Sequence, residues 1–245
     1  MRLVLLGDIH HELNDLDLVL RAVAARAVPV GLALLAGDLG VDPPRSPAAR
    51  QRERESHDAS VRCVLERVAA RLGCPVVFVP GNHDLPDPPA VEAAINADRR
   101  IVEAAQLRIA GFGGAGPDRF GFPYEWSEDE AELALEELFR AAPRLDVLLC
   151  HTPPMGTTLD PTYLGKHVGS RAVSRWIPRV RPRLFVCGHI HEAAGVELIE
   201  GIPCVNAGSL GPPFPQRIGW VVDWESGPAR IESLQGNGWR SWPTR

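Results

Sequence analysis

Five apolar runs of strand length in this chain end on residue types that bind metals, and that recurrence constrains the fold more than any bulk property does. Arg2–Leu6 leads into Gly7-Asp8-Ile9-His10, 31–36 into Gly37-Asp38, and 75–79, through Pro80, into Gly81-Asn82-His83-Asp84. The run at 146–150 leads into His151, and 183–187 into Gly188-His189-Ile190-His191. A single His-x-His at a strand end is ordinarily a solvated loop. Ends scattered this widely can meet at one place when their strands lie in open α/β sheets, where ligands bind outside the carboxyl ends of the strands. The i, i+2 spacing of Asp8 with His10, and of His189 with His191, puts each pair on one face if the backbone is extended there, with Ile190 turned back into the protein.

The remaining pattern fits such a sheet. Helical periodicity over "LNDLDLVLRAVAARA", "AARQRERESHDASVRCVLERVAARLG" and "SEDEAELALEELFRAA" alternates with the strands, and the last of these opens on a Ser127/Glu130 capping box. Further strands are expected at 107–112, 202–206, 218–224 and 229–234, the closely spaced late ones giving a more antiparallel finish. The Pro-rich loops at 41–47 and 85–90 and the Gly-rich stretch at 111–123 are too short to separate domains whose ligands must meet, so residues 1–245 are expected to form a single domain. The tail from about 235 to 245 reads as mobile or weakly docked.

With 45% hydrophobic and 23% charged residues the composition is that of a globular protein, and a net charge of −5 offers no basic footprint for wrapping nucleic acid. The first apolar run is too short for a membrane span or a signal-peptide core. Five cysteines without C-x-x-C spacing suit a reducing, cytoplasmic setting. The expected partner is a small anionic substrate, with nucleic acid disfavoured, no membrane, and oligomeric state open.

Two carboxylates (Asp8, Asp38), one amide oxygen (Asn82) and four imidazoles (His10, His151, His189, His191) make a donor set for borderline divalent metals such as Mn, Fe or Zn, Mn first, rather than for Ca or Mg. They suffice for two ions if one carboxylate bridges, and Asp38, alone at the end of its strand, is the natural bridge.

In this order the motifs Asp8-x-His10, Gly37-Asp38, Gly81-Asn82-His83-Asp84, His151 and Gly188-His189-x-His191 resemble the signature of the calcineurin-like metallophosphoesterases, over residues 8–191 and on into 206–215. "HTPPMG" and "KHVGS" look closest to small microbial members similar to class III cyclic nucleotide phosphodiesterases. The resemblance implies a four-layer α/β/β/α sandwich of two packed mixed sheets flanked by helices. It also implies one metal on Asp8, His10, Asp38 and His191, a second on Asp38, Asn82, His151 and His189, and in-line attack on a phosphodiester or phosphomonoester by a metal-bridging hydroxide. Two dications, two carboxylates and one hydroxide sum to +1, which attracts an anionic ester even to an acidic protein.

His83 resembles the family histidine that faces the leaving group as general acid or cation, and Asp84 either fixes its tautomer or makes a local turn bond. Of the other polar residues, His57 is expected to be solvated and His11 to take a surface or helix-entry role rather than a substrate contact. Lys166 and His167 are read as a solvated loop or a pocket rim, and Arg217 as a phosphate clamp or ordinary surface. The competing functions are a nuclease and a non-catalytic scaffold that keeps the fold; a scaffold would be expected to lose ligands, and every position is filled.

Overall fold

The computed structural model describes residues 1–26, 28–117, 119–140, 144–212, 216–235 and 238–244. Residues 213–215, with which the proposed resemblance ends, lie outside them, as do 236, 237 and 245 of the tail.

Among the described residues, thirteen strands are divided between two mixed sheets. The first holds, in chain order, β1 (Arg2–Leu6), β2 (Leu32–Leu35), β3 (Val76–Phe78), β4 (Ala94–Asn96), β11 (Trp220–Trp224), β12 (Pro228–Gln235) and β13 (Gly238–Trp242), arranged β13-β12-β11-β1-β2-β3-β4. The second holds β5 (Ile101–Ala104), β6 (Leu107–Phe112), β7 (Val147–Cys150), β8 (Leu184–Cys187), β9 (Gly195–Ile199) and β10 (Ile202–Asn206), arranged β5-β6-β7-β8-β10-β9. Strands β1 through β4 run parallel, as do β6, β7, β8 and β10, while β11–β13 and the sheet-edge strands β5 and β9 add antiparallel pairs.

Both faces of the central strands are apolar because both are covered. Leu3, Leu5, Leu32, Leu34 and Val77 of the first sheet pack on Ile109, Val147, Leu149, Leu184 and Val186 of the second. On the outer face of the first sheet, Val4, Leu6, Ala33, Leu35 and Phe78 meet α1 (Leu13–Ala24) and α2 (Pro47–Leu72) through Leu16, Val19, Val61, Val64 and Val68. On the outer face of the second, Phe112, Leu148 and Phe185 meet α3 (Glu128–Phe139) and α4 (Arg171–Val180) through Leu135, Phe139, Val173 and Ile177. The result is the expected four-layer α/β/β/α sandwich. Ser127 caps α3 with Glu130 returning the bond, as its sequence predicts.

Two expectations change. Gly238–Trp242 of the tail is an edge strand on β12 rather than a loosely held end: Trp242 lies 5.6 Å from Trp220 and donates its indole N–H to Ser233, so its apolar surface is docked. His57 is not solvated but 3% exposed on α2, its Nδ1 on the Val41 carbonyl and its Nε2 accepting from the Leu85 N–H. Charge dominates only the outer turns of α2; its inner face begins at His57 and Ser60.

Candidate metal centre

The C-terminal ends of β1, β2 and β3 from one sheet and of β7 and β8 from the other open on the same edge of the sandwich. The chain turns there through backbone that non-glycine residues seldom adopt: φ is 46° at Asp8, 47° at His10, 53° at Asp38 and 70° at His189. The ligand loops are therefore not extended, and the side chains converge because each strand turns sharply as it ends. Ile190 is buried, as expected, and so is Ile9, although the backbone around them is not extended. Two glycines permit the loops to close on the carboxylates: a Cβ on Gly81 would collide with Asp38, and one on Gly188 with Asp8.

Each carboxylate spends one oxygen on backbone and leaves the other towards the centre. Asp8 Oδ2 accepts from the His189 N–H (2.8 Å) and Asp38 Oδ1 from the His83 N–H (2.8 Å). Asp8 Oδ1, buried, has no hydrogen-bond partner and lies 3.2 Å from His191 Nε2. Asp38 Oδ2 sits between His10 Nε2 (3.8 Å) and His151 Nε2 (3.5 Å), the position a bridging ligand would occupy. The imidazoles are oriented from behind. His151 Nδ1 donates to the Ala36 carbonyl (2.6 Å), which turns the Nε2 lone pair towards Asn82 Oδ1 at 2.9 Å. His10 Nδ1 donates to Asp42 Oδ1 (2.7 Å), leaving its buried Nε2 without a partner. The His151 and His189 rings lie 5.0 Å apart and those of His10 and His191 5.3 Å apart.

Carboxylate oxygens and imidazole nitrogens thus crowd one buried place with Asp8 Oδ1 and His10 Nε2 left unpartnered, an arrangement that costs free energy unless a cation or protons fill it. Groups of donor atoms within 4.8 Å of one another are formed by Asp8, His10 and His191, and by Asp8, Asp38 and His151. The residues present fit divalent metals. In the metal-free chain, protons do part of the same work. Burial opposes a charge on His10, yet the Asp42 bond and the Asp38 and Asp8 carboxylates hold its pKa up to about 9, while burial pushes His189 down to about 3. Burial would raise Asp38, but the surrounding histidines hold it well below the usual carboxylate range.

His83 stands at the mouth of a cavity of about 540 Å3 lined also by Asp38, Asn82, His189, His191, Arg45 and Phe122. Its partner is not Asp84. Asp84 is buried and accepts from the Leu39, Gly40 and Gly81 N–H groups, pinning the loops after β2 and β3 together. His83 Nδ1 instead faces Asp42 Oδ2 at 3.1 Å, and despite the opposing effect of burial, Asp38 and Asp42 raise its pKa. Asp42, in a stretch that reads as a proline-rich loop, is the site residue the sequence did not single out; a carboxylate four residues after Asp38 was its only signal.

Other residues fall away from the cavity wall. Arg217 pairs with Asp15 at 2.9 Å, His167 with the buried Asp160 at 2.6 Å, Lys166 is exposed, and His11 is half-buried. None of the four lines the cavity. No described helix is long and apolar enough to cross a membrane.

A sequence profile described as calcineurin-like phosphoesterase matches residues 1–193. An uncharacterized protein of Methanocaldococcus jannaschii is 30% identical over 54% of this chain and 62% of its own, and a UPF0046 protein of Caenorhabditis elegans 34% identical over 36% of this chain and 29% of its own. The chain therefore spans less than two thirds of either relative. Among solved structures, that of TT1561 of Thermus thermophilus covers 100% of this chain and 99% of its own at 18% identity (TM-score 0.60). Calcineurin-like phosphoesterase YfkN from Bacillus subtilis covers 98% of this chain and 87% of its own at 16% identity (TM-score 0.50). Likeness at that identity shows the shared sandwich.

Proposed function

The chain belongs to the calcineurin-like phosphoesterase family, and on that premise we propose that it hydrolyses phosphate esters with two divalent metals. Asp8, His10, Asp38 and His191 would hold one and Asp38, Asn82, His151 and His189 the other. What supports the reading above all is the meeting of Asp8 Oδ1, Asp38 Oδ2, His10 Nε2 and His151 Nε2 in one buried place, with Asp8 Oδ1 and His10 Nε2 lacking a hydrogen-bond partner. When bound, such ions make water acidic near neutral pH and offset the charge of the phosphate and leaving oxygen.

The chain's own groups do the rest. Asp42 and the Ala36 carbonyl fix the tautomers of His10 and His151, so that both present Nε2 inward. Gly81 and Gly188 let the loops carry the carboxylates close together. His83, tethered through Nδ1 to Asp42, has Nε2 left to give a proton to the leaving oxygen at the cavity mouth.

The test is hydrolysis of a chromogenic phosphodiester beside the matching monoester by metal-stripped protein reloaded with Mn, in wild type and His83→Ala. Turnover is expected only with metal, and the variant should keep its metal while losing roughly 10²–10⁴-fold in rate. Turnover that survives thorough chelation, or silence on both esters with two metals bound, would overturn the reading.

A further inference from the structure

One wall of the cavity is aromatic, and phosphoryl transfer does not require it. Phe120 and Phe122 line the space beside His83, and Phe120 is 51% exposed, a large ring facing the cavity instead of joining the core. The Phe122 ring centre lies 4.2 Å from that of His83 and 6.5 Å from that of Phe120, and the Arg45 guanidinium stands 4.9 Å from Phe122.

This wall is held in place from two sides. The Glu125 carboxylate accepts the successive backbone N–H groups of Phe120, Gly121 and Phe122 (3.1, 2.8 and 3.2 Å). From the opposite side Arg50 of α2 donates to the Gly121 carbonyl at 3.0 Å. A turn fixed this way holds its rings with little conformational entropy left to lose on binding. Among the described residues lining the cavity, Arg45 is the one lysine or arginine, set against Asp42, Glu125 and Glu192. That rim suits one phosphate, and disfavours a chain of them.

We propose that the Phe120–Phe122 wall selects compact phosphate esters carrying a planar aromatic ring on the leaving-group side, the ring lying against the two phenylalanines beside the Arg45 guanidinium. The inference rests on the phosphoesterase reading above, because His83 marks where the leaving oxygen sits. A substituent on that oxygen meets Phe122 first. Stacked and edge-on ring contacts add to the attraction of buried area alone, and a guanidinium plane recognises the same flat face.

The experiment compares kcat/KM for a phenyl phosphodiester with that for an alkyl phosphodiester of equal charge whose leaving alcohol is as acidic as phenol, in the Mn-loaded enzyme. Wild type should favour the phenyl ester. The phenyl-to-alkyl ratio should fall roughly tenfold in Phe122→Ala, fall also in Phe122→Leu, which keeps bulk without a ring, and recover in Phe122→Tyr. A ratio near one in wild type, or the same loss on both esters in Phe122→Ala, would overturn the proposal while leaving the phosphoesterase reading intact.

Absence of turnover on both esters would count against that reading instead, and a second measurement decides the wall independently. In saturation-transfer NMR on metal-free protein, benzylphosphonate ring protons should receive magnetisation in wild type and lose it in a Phe120→Ala/Phe122→Ala double variant. No transfer in wild type, or transfer unchanged in the double variant, would sink the proposed ring site.

Discussion

Asp42 holds two imidazoles at once, with one oxygen on His10 Nδ1 and the other facing His83 Nδ1. An Asp42→Asn variant should therefore weaken metal binding and turnover together, by about 10–100-fold, since an amide no longer selects both tautomers. His83→Ala should cost turnover with metal retained, and parallel metal titrations and kinetics separate the two. Asp84 belongs to a different class: Asp84→Asn should lower the melting temperature by the equivalent of about 1–3 kcal/mol, because an amide cannot accept the Leu39, Gly40 and Gly81 donors equally well, and metal stoichiometry should hold. Loss of metal in Asp84→Asn without loss of stability would contradict that assignment. Protonation adds a signed expectation. In metal-free protein His10 is held up to about 9, above its unfolded value of about 6.5, so its charge stabilises the fold fully below pH 6.5 and that contribution fades as pH rises to about 9. Metal must displace the same proton. Mn affinity measured by calorimetry should accordingly climb by roughly tenfold per unit across that window, and a flat profile would show that His10 is not a ligand.

At the level of elements, the strands that carry ligands were legible because each couples a hydrophobic run to a polar end, and two periodicities then separate sheet from helix. Four short strands and one helix were not. Ala94–Asn96, Ile101–Ala104, Gly195–Ile199 and Gly238–Trp242 are brief edge strands with mixed burial, and α4 carries Pro178 within its ten residues, so local pattern is weak where tertiary pairing decides. The strand ends were legible for position and not for shape: left-handed backbone at Asp8, His10, Asp38 and His189 carries no sequence mark, since none of them is glycine. The highly charged start of α2 likewise hid a buried histidine. His57 ties that helix to the loop after β2 through Val41 and to the loop after β3 through Leu85. Replacing it by alanine removes a packed ring and leaves two backbone groups unpaired, so His57→Ala should destabilise the protein by about 2–4 kcal/mol in denaturant titration, whereas a solvated residue would give a change within about 0.5 kcal/mol.

In the whole molecule the two sheets meet through apolar side chains along most of their faces, and at one edge they meet through the candidate metal-binding side chains. The first sheet brings Asp8, His10, Asp38 and Asn82, the second His151, His189 and His191, so metals would fasten the sandwich where its apolar packing stops. Without metal that edge carries two buried carboxylates, kept ionised against the cost of burial by the surrounding histidines and by one backbone N–H each. Binding coupled to the folded state should then appear as stability: each ion at 100 times its dissociation constant adds about 2.7 kcal/mol, and two together should raise the melting temperature on the order of 10 °C over the chelated protein. Asp38→Asn separates this from a general salt effect. The variant removes a carboxylate that the surrounding histidines hold ionised, so its metal-free form should melt at or below metal-free wild type, and it should gain little from added Mn because the shared carboxylate is gone. A variant that gains as much from Mn as wild type does would show that Asp38 is not the residue through which the two sheets share metal.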